Sequence, residues 1–110
     1  MPKPALTVVP GTLDLLILKA VSWQKEHGYG IGKRIEERTA GDLRIEDGAL
    51  YQALHRLVRA GALSAEWGVS DNGRRARYYK LTSVGRSRLA AEVASWRRYA
   101  AAVSLMLETP

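Results

Sequence analysis

A chain of 110 residues is one domain's worth of sequence, long enough to bury a core without metal or disulfide staples. A hydrophobic share of 46% with a charged share of 25% excludes a disordered chain, and the absence of cysteine excludes disulfides, thiolate zinc sites and a cysteine nucleophile. Seventeen Lys and Arg against eleven Asp and Glu leave a net +6, which favours a polyanionic partner such as nucleic acid or an anionic membrane, so the placement of the charges decides the reading.

The ends, Met1 to Val9 and Thr109 to Pro110, carry no pattern and are expected to be loose. After "VVPG", Thr12 is placed to cap a first helix reaching about Glu26. Its apolar positions Leu13, Leu16, Ile17 and Ala20 are widened by Leu15, Leu18 and Val21, as in a central helix. Asp14 and Lys19 interrupt the run "LDLLILKAV", which is too short for a bilayer and lacks the flanks of a signal peptide. A cytoplasmic protein without a membrane segment is therefore expected. "HGYG", His27 to Gly30, reads as a turn, and a short second helix follows from about Ile31 to Arg38. "LRI", Leu43 to Ile45, has the alternation of a short strand.

Asp47 offers a cap to a third helix that Gly61 ends. From Leu63 the period becomes two, and "SDNG" joins that run to "RARYYKL" as a hairpin, with Asn72-Gly73 a strong turn signal. Thr82 then caps a fourth helix from Ser83 to about Glu108. Along it Leu89, Val93, Trp96, Ala100, Val103 and Leu107 are spaced four, three, four, three, four, a heptad seam that predicts dimerisation. The expected fold class is mainly α (α+β): a winged helix-turn-helix over residues 1–82 with a long dimerisation helix over 83–110, together one structural unit.

The third helix is two-faced. Leu50, Ala53, Leu54, Leu57 and Val58 point one way, while Tyr51, Gln52, His55, Arg56 and Arg59 point the other. Arg and Gln side chains donate and accept in the geometry of purine edges, and His and Tyr can donate to bases or phosphates. Residues near the helix start enter a groove most deeply, which favours Tyr51, Gln52 and His55 over Arg59. The wing from Gly68 to Lys80 carries Arg74, Arg75, Arg77 and Lys80 against the single acid Asp71, a net +3 suited to phosphates. No clustered acid, base, nucleophile or metal-ligand set appears, so neither an enzyme, a cofactor nor a metal is expected; "GYGIG" is a weak glycine cluster. A winged-helix module that binds an acidic partner protein is the rival to a DNA reader.

The motifs "GTLDLLIL", "HGYGIGKRIEE", "GALYQALHRLVRAGAL", "WGVSDNGRRARYYKLT" and "GRSRLAAEVASW", in this order and spacing, resemble the PadR family of bacterial transcriptional regulators, in its short subgroup with one C-terminal helix. The resemblance covers Gly11 to about Leu107. It implies a homodimeric winged-helix repressor on an inverted-repeat operator of double-stranded DNA, with the "LY" pair Leu50-Tyr51 and wing residues Arg74 and Arg75 on the DNA. It also implies that the "SW" tryptophan, Trp96, lies near its symmetry mate, where paired rings would form a slot for a small aromatic effector acting as inducer. Ala49 and Gln52 stand where the family often has a hydroxyl residue and a proline, so the operator is expected to be this protein's own.

Overall fold

The apolar stripes of three helices close on one another over a small sheet. The computed structural model describes residues 3–110, in the order α1 (Thr12–Ser22), β1 (Glu26–His27), α2 (Gly28–Arg38), α3 (Asp47–Arg59), β2 (Leu63–Val69), β3 (Arg75–Leu81) and α4 (Ser83–Glu108). The core gathers Ile17 and Leu18 from α1, Ile31 and Ile35 from α2, Leu50, Leu54 and Leu57 from α3, and Leu63, Tyr79 and Leu81 from the sheet, with no charged side chain buried among the described residues. Each fully buried leucine contributes about 1.5–3 kcal/mol relative to exposure. The strands pair antiparallel in the order β1-β3-β2, completing a winged-helix arrangement. Among the described residues no helix is long and apolar enough to cross a membrane.

The first part of the chain departs from the periodicity reading. Gly11, at φ 89°, precedes α1, and Thr12 is its first residue rather than its cap, the hydroxyl donating to the Val9 carbonyl at 2.6 Å. The helix ends at Ser22, not near Glu26, because Glu26 and His27 pair with Tyr79 and Tyr78 as a third strand. "HGYG" is the first turn of α2: the His27 Nδ1 accepts from the Gly30 N–H at 3.0 Å and caps the helix. Its glycines provide close approach. A Cβ at Gly28 would stand 2.6 Å from the Tyr51 ring, and one at Gly30 would stand 2.5 Å from the Glu26 carboxyl carbon. Glu26 in turn accepts from Arg34 at 2.9 Å, and Arg34 also donates to the Ala20 carbonyl at the end of α1. This ion pair is largely withdrawn from water, so removing one partner strands the other.

"LRI" forms no strand. It contributes one isolated parallel bridge, Leu6 to Leu43, in which the Leu6 N–H donates to the Asp42 carbonyl at 2.7 Å. Leu43 and Ile45 pack on the core instead, and the stretch around Leu6, expected to be loose, is tied down there; Met1 and Pro2 lie outside the described residues. Glu46 rather than Asp47 occupies the α3 cap position, and neither caps with its side chain; Asp47 sits in the first turn, where a carboxylate complements the helix dipole.

The second half follows its local signals. Gly61, at φ 76°, ends α3 with a reciprocal pair of hydrogen bonds, Gly61 N–H to Val58 and Ala62 N–H to Leu57, both 3.0 Å. The wing turns through Gly73 at φ 79°, with the Ser70 N–H donating to the Arg74 carbonyl at 2.8 Å. Thr82 caps α4 by accepting from the Gly85 N–H at 3.0 Å while its hydroxyl donates to the Gly61 carbonyl at 2.6 Å. Gly85 is buried so tightly that a Cβ would stand 2.1 Å from the Ala62 carbonyl oxygen, which fixes the root of α4 to the α3–β2 corner. From there 26 residues run about 39 Å, well past the domain that anchors them.

Candidate nucleic-acid interface

Helix α3 presents its outer face as the spacing required. Leu50, Ala53, Leu54 and Leu57 are buried, while Tyr51, Gln52, His55, Arg56 and Arg59 are exposed. Tyr51 is 43% exposed because one side of its ring lies against Gly28 at the start of α2, so its position is set by a residue that has no side chain. Gln52 and His55 have no side-chain hydrogen bond to another described group; their donors and acceptors stand free for a ligand. Arg56 differs. Its guanidinium donates to Asp14 of α1 at 2.8 Å, and the same carboxylate accepts from Arg88 of α4 at 2.9 Å, which joins the outer face of α3 to the root of α4.

The wing has two unlike faces. Alternation places Leu63, Ala65, Trp67 and Val69 with their partners Leu81, Tyr79, Arg77 and Arg75 on the face that starts in the core. On this face Arg77 and Tyr51 both lie close enough to Tyr79 to act on its ionisation, although burial is the main reason the Tyr79 hydroxyl is held above its usual 10.0. Arg77, paired with Trp67, is the next residue outward from Tyr79 on this face. The other face carries Glu66, which accepts from Lys25 at 2.9 Å; the hydrogen bond and the opposite charge raise the Lys25 ammonium above its usual 10.5 and lower the Glu66 carboxyl below 4.5. On that face the one acid is paired, and Lys80, the partner of Ser64, is exposed without an acidic partner among the described residues. Arg74, Arg75 and Arg77 have no acidic partner among the described residues and are exposed.

Between α2 and the wing tip lies an open cleft of about 800 Å³, lined on one side by Tyr29, Lys33 and Arg34 and on the other by Asn72, Arg74 and Arg75. Tyr29 and Lys33 did not figure among the residues expected from the sequence. Their signal is present, since positions 29 and 33 are one helical turn apart, but reading "HGYG" as a turn hides it.

The predicted seam on α4 divides. Leu89 packs against the chain's own core, and Val93 and Ala100 are half-buried. Trp96 is 40% exposed and Leu107 80%, with Val103 also bare; Tyr99, Leu105 and Met106 beside them are exposed too. The Trp96 and Tyr99 rings lie 6.3 Å apart, tilted.

Compared with known proteins, residues 17–91 match the model of the transcriptional regulator PadR-like family. The chain belongs to this family. As a PadR-like protein it is a DNA-binding transcriptional regulator, the class to which a winged helix with a free polar helix face and an unpaired basic wing is suited. The chain is 32% identical over 102 residues to an uncharacterized protein of Lysinibacillus sphaericus, covering 92% of this chain and 93% of that one. It is similar to the crystal structure of a PadR family transcription regulator from Clostridium difficile, with TM-score 0.77 and 27% identity over 88% of this chain and 99% of the other. A transcriptional regulator from Clostridium thermocellum shares the fold at TM-score 0.81 and 24% identity, covering 89% of this chain and 95% of that one.

Proposed function

We propose that the protein is a homodimeric repressor that binds an inverted-repeat operator, with residues 1–82 contacting DNA and residues 83–110 holding two copies together. The observation that carries this reading is the division of unused surface: α3 and the wing keep polar and cationic groups free, whereas α4 keeps apolar groups free. In this mechanism each α3 lies in a major groove, Tyr51, Gln52 and His55 meet base edges or the nearest phosphates, and Gln52 is the residue suited to a bidentate contact with adenine. Arg74, Arg75 and Arg77 take flanking phosphates, and Tyr29 and Lys33 take the phosphate on the far side of the α2 cleft. Arg56, held by Asp14, acts chiefly as a strut that fixes the pitch of α3.

Two copies joined through Trp96, Ala100, Val103 and Leu107, with Val93 at the start of the seam, place the two recognition helices about one DNA turn apart, so the operator is a repeat with matching symmetry. Bound over a promoter, such a dimer blocks transcription by occupying it. Trp96 with Tyr99 also supplies aromatic walls for a small planar effector that would release the DNA. Genomic fragments retained by the protein, sequenced and then rebound in gel shifts at rising salt, test the reading. A shared two-fold repeat held against excess competitor is the expected result. Indifference to sequence would replace it with a winged-helix module for an acidic partner protein. A panel of planar aromatic compounds that changes neither tryptophan emission nor DNA affinity would remove the effector.

A further inference from the structure

The wing turns on the chain's only asparagine, and that residue precedes a glycine. The turn itself does not demand an amide. Asp-Gly serves such a hairpin tip as Asn-Gly does, and Asn72 is not among the residues with positive φ. Its Oδ1 accepts from the Ser70 hydroxyl at 2.5 Å and from the Arg74 N–H at 3.3 Å, bonds that a carboxylate oxygen accepts equally. What the amide changes is charge: with aspartate at 72 a second acid would stand beside Asp71, and the net +3 of residues 68–80 would fall to +2.

Asparagine before glycine is also chemically labile, because the glycine nitrogen, with no Cβ beside it, reaches the side-chain carbonyl unhindered. At Asn72 the fold leaves that reaction open. The residue is exposed to water, its Nδ2 makes no hydrogen bond to a described group, and a Cβ placed on Gly73 would meet nothing within 4 Å, so a ring closing there has room. The two donors on Oδ1 lie where negative charge develops as the nitrogen adds to Cγ. Against it stands the Gly73 N–H bond to the Ser70 carbonyl at 2.9 Å, which must open first; a single exposed turn bond of this kind slows the step by about tenfold at most.

We propose that Asn72 is a self-modification site through which the folded protein loses its hold on DNA with age. The Gly73 nitrogen gives its proton to water and bonds to Cγ, Nδ2 takes up a proton and leaves as ammonia, and water opens the resulting succinimide ring. Cleavage at Cγ yields aspartate, and cleavage at the main-chain carbonyl yields isoaspartate, in which the chain runs through Cβ. The sum is water consumed and ammonia released, with no oxidant or reductant. Aspartate adds a charge to the tip. Isoaspartate also lengthens the turn, which displaces the Ser70 N–H bond to the Arg74 carbonyl and the Val69–Arg75 pair. Both products weaken the placing of Arg74 and Arg75 on phosphate, so the inference rests on the proposed role of those arginines in DNA binding.

The test ages the full-length protein in mildly alkaline buffer beside a free peptide of residues 68–77. Conversion is read by mass and by methyl transfer from S-adenosylmethionine with an isoaspartyl methyltransferase. The wild type should convert at Asn72 at no less than about one-tenth of the free-peptide rate and accept methyl groups. Once converted, it should bind a duplex that it selected when fresh at least about tenfold less tightly. Fresh Asn72→Asp should reproduce part of that loss. Asn72→Gln, whose longer side chain closes the corresponding ring far more slowly, should neither convert nor lose affinity over the same time. Folded protein that stays unmodified while the free peptide converts overturns the proposal, as does aged protein that binds like fresh, or Asn72→Gln that loses affinity at the wild-type pace. If conversion proceeds as expected but fresh wild type selects no duplex, the reading of the wing as a DNA contact fails rather than the chemistry at Asn72.

Discussion

Helices α3 and α4 both keep a surface that the chain's core leaves unused, and the two surfaces are chemically opposite. On α3 the unburied side is Tyr51, Gln52, His55 and Arg59, with Arg56 tied to Asp14; α4 beyond Val93 is exposed nearly all round, Arg97 and Arg98 included, and one stripe of it is Trp96, Tyr99, Val103, Met106 and Leu107. A bare polar face costs nothing in water and becomes useful when a ligand supplies complementary donors and acceptors. A bare apolar face of that extent is satisfied only when something covers it. Amphipathic pattern alone therefore does not tell a reading helix from an assembling one; the chemistry of the uncovered side does.

The comparison breaks most sharply at α4. Val103→Glu puts a charge into the apolar stretch without touching the folded domain, so the monomer should still fold, its thermal midpoint lower only by what dimerisation contributed, while sedimentation shifts to the monomer. Operator affinity should then fall about 100-fold or more, because the second half-site contact ceases to be intramolecular. A variant that stays dimeric would mean that α4 assembles through other residues.

On the α3 side, Arg74→Ala combined with Arg75→Ala removes two cations from each protomer, four from the dimer, and should reduce the slope of log K against log salt by about 3.6 and lower affinity about tenfold or more at moderate salt, for all sequences alike. An unchanged slope would take the wing off the phosphates. A smaller effect is expected from Gly28→Ala, whose new methyl must push the Tyr51 ring aside. The displaced ring is half-exposed and can shift toward solvent, so folding should be nearly unaffected while operator affinity drops about threefold to tenfold, the range of a single weakened contact.

The smallest effect belongs to the sheet's other face. Glu66→Gln should leave DNA affinity within about twofold, since the pair with Lys25 is solvated and faces away from the α3 side. Folding holds the Glu66 carboxyl below 4.5, so the pair's contribution is present above that pH and is lost as pH falls through the lowered value. The small difference in melting temperature between wild type and Glu66→Gln should accordingly vanish in acid. A large loss of DNA binding would reverse the assignment of the two wing faces.

Much of this was legible before the fold. The outer face of α3, the wing and the start of α4 are written in local chemistry: a 3.6-residue period, Gly61 in a left-handed cap, Asn72-Gly73 in a turn and Thr82 as a helix cap. The region from Ser22 to Gly30 was not, because its cause is tertiary. A two-residue strand has no period to detect, and Gly28 and Gly30 are small on account of Tyr51 and Glu26 rather than to make a turn. That misreading also concealed Tyr29 and Lys33. Arg56 shows the same limit, since its partner Asp14 is 42 positions away, and Leu89 fits the heptad spacing yet packs on its own core.

The polar side of α3 is proposed to read bases in a symmetric pair of half-sites. Base-resolved selection of bound duplexes by the wild type and by Gln52→Ala tests it most directly. The preference should relax at one base pair in each half-site, at two positions related by the operator's two-fold axis in half-sites centred about 10 base pairs, or one DNA turn, apart. Discrimination there should fall by about 1–3 kcal/mol. A uniform loss at every position, or a selected sequence identical to that of the wild type, would contradict it.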